Sequence, residues 1–524
     1  MTTHFFQSQL PKIKLVGAIQ DPYDLSVATA RTCYSSKGII TVDEVSKDEK
    51  SRVLRDRISD STREAGHLTT RQHAHFVFSM DHVSRSFLWS FLHSHPFYNS
   101  EQVSQRYVKV KPGNFTIPTL STPKNQSVFQ ETLELQMKAY ENLIELVLPT
   151  VKAAYFKVFK SRKEEKRWMS VIHKKAYEVA RYILPISTQA YLYHTVSALT
   201  LMRYYKMAKI WDTPSEQLYV VQKMIDEVVK IDPDFQKELS KPFDLDSVPE
   251  YQWALPAMQG QNFSQAKAFV QEFDEALNGK VSKLVDQSEN AEATLAQAVR
   301  NLFSKTKAEM TDEAAIDLVL HPKQNPMLGD TFNVSTLSKL TRALFHVHFS
   351  FQKKISHTAD SQDQRHRMTP GSRPILALHY FGEPDVIYPK VLLEVPKAKA
   401  LFEDVLSQTV QNVNTLLKAG EGFEKAHYLL PNAWAIRFIE SGDLLNWHHK
   451  WKLRTCYNAQ EEIFYASVAE LLEVEKKFPL IARHIKAPCY IRSEAKLKPY
   501  CPEGDHFCGV PVWKLNLSQY DRMI

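Results

Sequence analysis

The chain has 524 residues, 44% apolar and 24% charged, a balance that sets aside a disordered chain and leaves room for two to four domains. No window approaches 18 uninterrupted apolar residues, and the opening MTTHFFQSQLPKIK lacks a charged stretch followed by an apolar run, so neither a membrane span nor a secretory signal is expected and a cytoplasmic setting is the default. The net charge of +7 (66 basic less 59 acidic residues) suits an anionic small ligand, while the scatter of the lysines argues against a nucleic-acid interface.

In chain order, HAHFVFSM (73–80) alternates like a strand. Residues 126–160 and 213–232 repeat apolar side chains at i, i+3, i+4 and i+7 and predict helices. LFHVHFSF (344–351) reads as a second strand, and 391–418 and 443–478 as two more helices. The class is α+β, mostly helical. With only 14 glycines, no G-x-G-x-x-G or P-loop pattern occurs, so a nucleotide site of either kind is not supported. On the last predicted helix Arg454 shares a stripe with Trp447, Trp451 and Asn458 (offsets −7, −3 and +4).

The chain repeats itself. Ser84 falls on Ser356 and His93 on Arg365, both at an offset of 272 (356 − 84; 365 − 93). ARYILPIS falls on AHYLLPNA, with Pro185 on Pro431, and Glu216 on Glu462, both at 246 (431 − 185; 462 − 216). Two collinear anchors predict two homologous units in tandem, 1–235 and 290–524, joined by a connector at 236–289 that contains SKPFDLDSVPEYQWALPAMQGQNFSQ.

The halves carry different motifs. The second has Gln362, Arg365, His366 and Arg367 (QDQRHR) and, on its late helix, LRTCYNAQEEI with Arg454, Gln460 and Glu462. The first has ATARTCY (28–34), GHLTTRQH (66–73), NSEQVSQRYV with Glu101, Ser104, Arg106 and Tyr107, and Arg181 before Leu-Pro. Together these resemble the flavin-dependent thymidylate synthases, whose signature is Q-x-x-R-H-R-x-x-S-x-N-E-x-S-x-R-Y, then A-R-x-x-L-P, then L-R-x-x-x-x-A-Q-x-E-I. The resemblance covers both units. It departs at one residue inserted after Glu101, and at the family's N-A-R triplet, here Ser197-Ala198-Leu199 and Asp443-Leu444-Leu445.

The losses are complementary. The first half has Ser90, His93-Ser94-His95 and Ala208 where Gln, Arg-His-Arg and the late-helix Arg are expected. The second has MTPGSRP in place of N-E-x-S-x-R-Y, and His427 in place of Arg181. The resemblance therefore implies a fused pseudodimer with one composite site between the repeats. It implies reductive methylation of dUMP to dTMP, with methylenetetrahydrofolate as carbon donor and NADPH-reduced FAD as hydride source. It also implies a homodimer forming a pseudo-tetramer. The implied roles are Arg454 as the catalytic cation at the pyrimidine edge, Arg365, His366, Arg367, Thr69, Glu101 and Cys33 toward the flavin, and Gln362, Glu101, Ser104, Arg106 and Arg181 toward dUMP. Arg forks suit phosphate oxygens, and charge-assisted bonds are the strong ones. A non-catalytic flavin- or nucleotide-binding paralogue, or a nucleic-acid binder on the same scaffold, are the competing readings.

The tail APCYIRSEAKLKPYCPEGDHFCGVPVW places Cys489, Cys501 and Cys508 at C-x11-C-x6-C, with Cys456, His484 or His506 available as a fourth ligand. Thiolate and imidazole ligands suit structural zinc, although this is not a standard finger spacing. Three reduced thiols packed in a C-terminal loop are the alternative.

Overall fold

The computed structural model describes residues 2–93, 95–210, 212–258 and 263–522. Ser94 and 259–262, on which part of the repeat comparison and of the connector fell, lie outside the described residues. The first unit carries a four-stranded antiparallel sheet of β1 (Lys12–Ala18), β2 (His75–Ser84), β3 (Tyr98–Gln102) and β4 (Gln189–Ser197), in the order β1-β2-β4-β3. The second carries β5 (Ser282–Gln287), β6 (His348–Ser356) and β7 (Ala435–Asp443), in the order β5-β6-β7. Their strand pairs correspond, with Met80 opposite Leu192 in one and Lys353 opposite Phe438 in the other (438 − 246 = 192), apart from a register shift between Met80 and Val83 in the first. Where β3 would lie in the second unit there is only a bridge from Gly371 to Glu440.

The two repeats meet about a local twofold. Pro185 pairs with Pro431, its own repeat equivalent. Ile186 N–H donates to Leu430 O and Asn432 N–H to Leu184 O, each at 2.8 Å. Outside these bonds, Tyr182 donates to the Glu462 carboxylate and Tyr428 to the Glu216 carboxylate. Glu216 also accepts from the N–H and hydroxyl of Ser84, and Glu462 from those of Ser356, the two N-cap serines that anchored the repeat. One hydrophobic core runs from Phe5 to Phe235 and on through Ile355 to Phe438, so it belongs to both units. The long helix Pro123–Val158 packs on Lys166–Ala180 of its own unit and on Pro396–Lys418 of the other. A second core, with Trp447, Trp451 and the tail residues Val512, Leu517 and Tyr520, lies within the second unit. No helix among the described residues is long and apolar enough to cross a membrane.

The fold corrects the element reading in three places. Residues 443–478 form two helices, Leu444–Arg454 and Glu461–Lys477. The apolar repeat runs through the break, but Gln460 caps the second helix by accepting from Ile463 N–H at 3.1 Å. Asn458 therefore leaves the stripe of Arg454. The segment 391–418 starts its long helix at Pro396, since proline suits the first turn and not the interior. Finally, β5 falls inside the stretch assigned to the connector, so the second unit's sheet begins before residue 290.

Candidate active site

The cationic turn follows directly from β6. Ser356 caps helix His357–Asp363 by accepting from Ala359 N–H, and the helix ends in a turn in which His366 N–H donates to Asp363 O at 2.9 Å. Arg365 is exposed, Arg367 half-buried and His366 buried. Arg454, the last residue of its helix, donates from Nε to His366 Nε2 at 2.7 Å. Burial, and then the Arg454 cation, hold the His366 pKa well below the ordinary histidine value, so the ring is neutral with Nε2 as acceptor. Gln362 Oε1 accepts from Gln460 N–H at 3.0 Å.

The first unit supplies the facing wall. Arg365 lies 3.6 Å from Glu101, and Arg367 reaches Asn99 Oδ1 at 3.4 Å and Pro96 O at 3.5 Å while covering the Tyr98 ring. These residues border a cavity of 270 Å³ lined also by Tyr193 and Gln364. Arg106 donates to Asn458 O of the second unit at 2.8 Å. Gln105 accepts from Asn432 Nδ2 at 3.1 Å. The motif residues of the two repeats thus touch across a cleft at the junction of the units.

Within that cleft the arginines differ in what they already bind. Arg106 is paired with Glu178 (Nε–Oε1 3.1 Å, Nη2–Oε2 3.2 Å). Burial disfavours the Glu178 anion, but Arg106 and then Lys175 outweigh it and pull its carboxyl down to about 2. Arg181 is buried without an ion pair among the described residues, and its Nε has no partner. Arg85 is buried too; it donates to Gln102 Oε1 and Val103 O, while its Nε is unpartnered. Burial, then the nearby Arg181 and Arg365 cations, push Arg85 down to about 9. Arg454 falls to about 10, chiefly through burial, with Asp363 opposing and Arg365 and Arg106 adding to the shift. A cavity of 550 Å³ opens beside Arg85, Ser104, Gln105 and Gln189. The amide nitrogens of Gln105 and Gln189 are buried there without partners. Unpaired buried donors are costly. Gathered here beside Arg85, which has no carboxylate ion pair among the described residues, they suit an anion with several acceptor oxygens.

The repeat-equivalent positions of the motif residues are engaged or buried within the protein. His427, at the place of Arg181, is satisfied internally by Ser86 Oγ at 2.7 Å and Phe423 O at 3.0 Å. His93 turns inward to Trp89 O at 2.7 Å, and Ala208 is buried. The triplets that replace N-A-R serve as helix caps: Ser197 accepts from Thr200 N–H and Asp443 from Asn446 N–H. Thr69 and Cys33 are exposed and line none of the cavities around the cleft. Arg85 is the residue that the motifs missed. Its signal was a lone cation inside the apolar run SRSFLWSFL, where the repeat has His357.

The tail packs beside the cleft. Cys456, Cys489, Cys501 and Cys508 line one cavity of 20 Å³, and none is in a disulfide. Burial pushes the Cys456 and Cys489 thiols up to about 12. Among the described residues no three His, Cys, Asp or Glu side chains stand at metal-ligating spacing. His484 is engaged with Asp317 at 2.9 Å and His506 is not among the residues lining that cavity.

Two structurally repeated α+β units whose motif residues touch across their junction define the class of this protein. Residues 14–234 and 283–480 match the model of the family described as thymidylate synthase complementing protein, and the chain belongs to that family. A flavin-dependent thymidylate synthase of Clostridium tetani is 29% identical over 228 residues, 43% of this chain and 85% of that protein. One from Geobacter sulfurreducens is 30% identical over 170 residues, 32% and 70%. One from Haloarcula marismortui is 24% identical over 261 residues, 43% and 91%. Each relative thus has about the length of one repeat of this chain. Among solved structures, a UMP/dUMP methylase from Streptomyces cacaoi aligns with 44% of this chain and 95% of its own at 18% identity and a TM-score of 0.30.

Proposed function

We propose that the chain is a flavin-dependent thymidylate synthase, converting dUMP to dTMP with methylenetetrahydrofolate as carbon donor and NADPH-reduced FAD. The observation that carries this is a set of arginines without a carboxylate ion pair among the described residues, Arg85 beside Arg181 in one repeat and Arg454 in the other, with Arg365 close to both Arg85 and Arg454. Arg181 and Arg85, with Ser104, bind the dUMP phosphate. Arg106, already neutralised by Glu178, orients the Asn458 carbonyl at the junction. Arg454 stabilises negative charge on the pyrimidine, and neutral His366 fixes the direction of its guanidinium. The exposed Arg365 and half-buried Arg367, bordering the 270 Å³ cavity with Glu101, fit the phosphates of a flavin. Flavin supplies the hydride that no side chain can. Loss of both N-A-R triplets to helix caps favours one second reading, a paralogue that binds but does not turn over. Expression of the chain in a bacterium lacking its own synthase separates them: growth without thymidine is the expected result, and a folded, flavin-loaded protein that fails to support growth would favour the paralogue.

Zinc is a separate part of the proposal. Four thiols from stretches 33 residues apart and more in part (489 − 456) converge on one cavity, which soft-metal binding would explain. It requires the thiols to close in and lose their protons. Elemental analysis should then find about one zinc per chain, and a chelator should lower the Tm. A metal-free protein of unchanged Tm would leave the thiols as packing.

A further inference from the structure

Beneath the cationic turn lies a charged core. Lys353 is 2.5 Å from Glu440, 2.7 Å from Glu470 and 3.7 Å from Asp363. Lys450 is 2.5 Å from both Asp363 and Glu440. Arg373 joins at its edge, 2.9 Å from Asp360 and 3.6 Å from Asp363. Lys353, Lys450, Asp363, Glu440 and Glu470 are all almost wholly buried. The network touches the turn twice. Asp363 is the residue whose carbonyl receives His366 N–H. Thr369 is within hydroxyl reach of both Glu440 Oε1, at 2.7 Å, and His366 O, at 3.0 Å.

The other repeat solves the same packing problem without charge. Asp363 falls on Phe91 (363 − 272), Glu440 on His194, Lys450 on Tyr204 and Glu470 on Met224 (440, 450 and 470, each less 246). Lys353 falls on Met80, by the matching strand pairs. There Phe91 stacks within 4.3 Å of the Tyr204 ring and 5.4 Å of His194, and His194 Nε2 meets Tyr204 Oη at 3.1 Å. Burial pushes His194 down to about 3, so it is neutral. One scaffold therefore holds a five-charge network under the half that kept Arg-His-Arg, and an apolar and aromatic cluster under the half that lost it.

Burying five charges is a poor way to gain stability, because well-packed apolar groups of similar volume are often as good or better. What an ion network supplies is directional: each carboxylate fixes the donors around it. We infer that Lys353, Asp363, Glu440, Lys450 and Glu470, acting through Thr369, are positioning residues that hold the Gln362–Arg367 turn in its ligand-binding shape. They touch neither flavin nor dUMP. This rests on the reading above that the turn binds the flavin.

The test uses the full-length chain, with FAD affinity from fluorescence titration and Tm measured on the same samples. Transplanting the other repeat's solution (K353M, D363F, E440H, K450Y and E470M together) should leave Tm equal or higher and weaken FAD about tenfold or more, the scale typical of groups that orient a ligand-holding residue. Thr369→Val gives a milder cut, removing only the hydroxyl, and decides the matter if the transplant fails to fold. It should weaken FAD by a similar factor, and Thr369→Ser, which restores the hydroxyl, should return the affinity to within about twofold. A purely structural network predicts parental affinity in Thr369→Val at any Tm, and that result overturns the inference. Arg365→Ala is the control: if it too binds FAD like the parent, the assignment of the turn to flavin has failed instead.

Discussion

Replacing Arg454 by alanine is expected to leave flavin bound and lower kcat by roughly a hundredfold or more, the usual effect of removing one electrostatic stabiliser from a water-poor site. Arg454 is half-buried, its pKa is depressed to about 10, and its one side-chain hydrogen bond among the described residues is to the neutral His366 ring. No carboxylate forms an ion pair with it among the described residues, Asp363 acting only from a distance, so the charge is available to a ligand. A contact made mainly with developing negative charge changes kcat more than KM. Arg181→Ala should behave in the opposite way and chiefly raise KM for dUMP, since a phosphate contact serves ground and transition states alike. Steady-state kinetics of the two variants separates the roles. Unchanged kcat in Arg454→Ala would remove Arg454 from the chemistry.

The second large effect is on stability. Glu216→Ala and Glu462→Ala should each cost about 3–5 kcal/mol in urea unfolding, because each strips the acceptor from three buried donors at once, a serine N–H, its hydroxyl and a tyrosine hydroxyl of the other repeat. Ser84 N–H is 2.8 Å from Glu216 and Ser356 N–H 2.7 Å from Glu462. The two carboxylates lie on either side of the Pro185–Pro431 contact, so the two losses should be nearly equal. A loss under about 1 kcal/mol in either variant, the net worth of one ordinary hydrogen bond, would show that these carboxylates do not hold the junction.

Much of the site was legible in the sequence, because motifs are local. The turn carrying Gln362, Arg365, His366 and Arg367 folds from its own neighbours, capped by Ser356. The repeat was readable for the same reason: Ser84 and Ser356, Glu216 and Glu462 occupy the same capping and carboxylate positions in both units. Their complementary losses are the sequence's ground for expecting a composite site. The break after Arg454 was not legible. Apolar spacing continues across it, and only the cap at Gln460 ends one helix and starts another.

What the amino-acid sequence determined by itself was residue type at each repeat position, and hence which half lacks which motif. Whether a cation is spent or available was decided by tertiary structure, since its partner can come from anywhere. Arg106 matched the motif yet is neutralised by Glu178, 72 residues away, and reaches Asn458, 352 residues away. Arg85 matched no motif yet stands buried and without a carboxylate beside Arg181 and Arg365. Charge pairing acts over a few ångströms of space and is blind to separation along the chain, so only the folded packing fixes which arginines face a ligand.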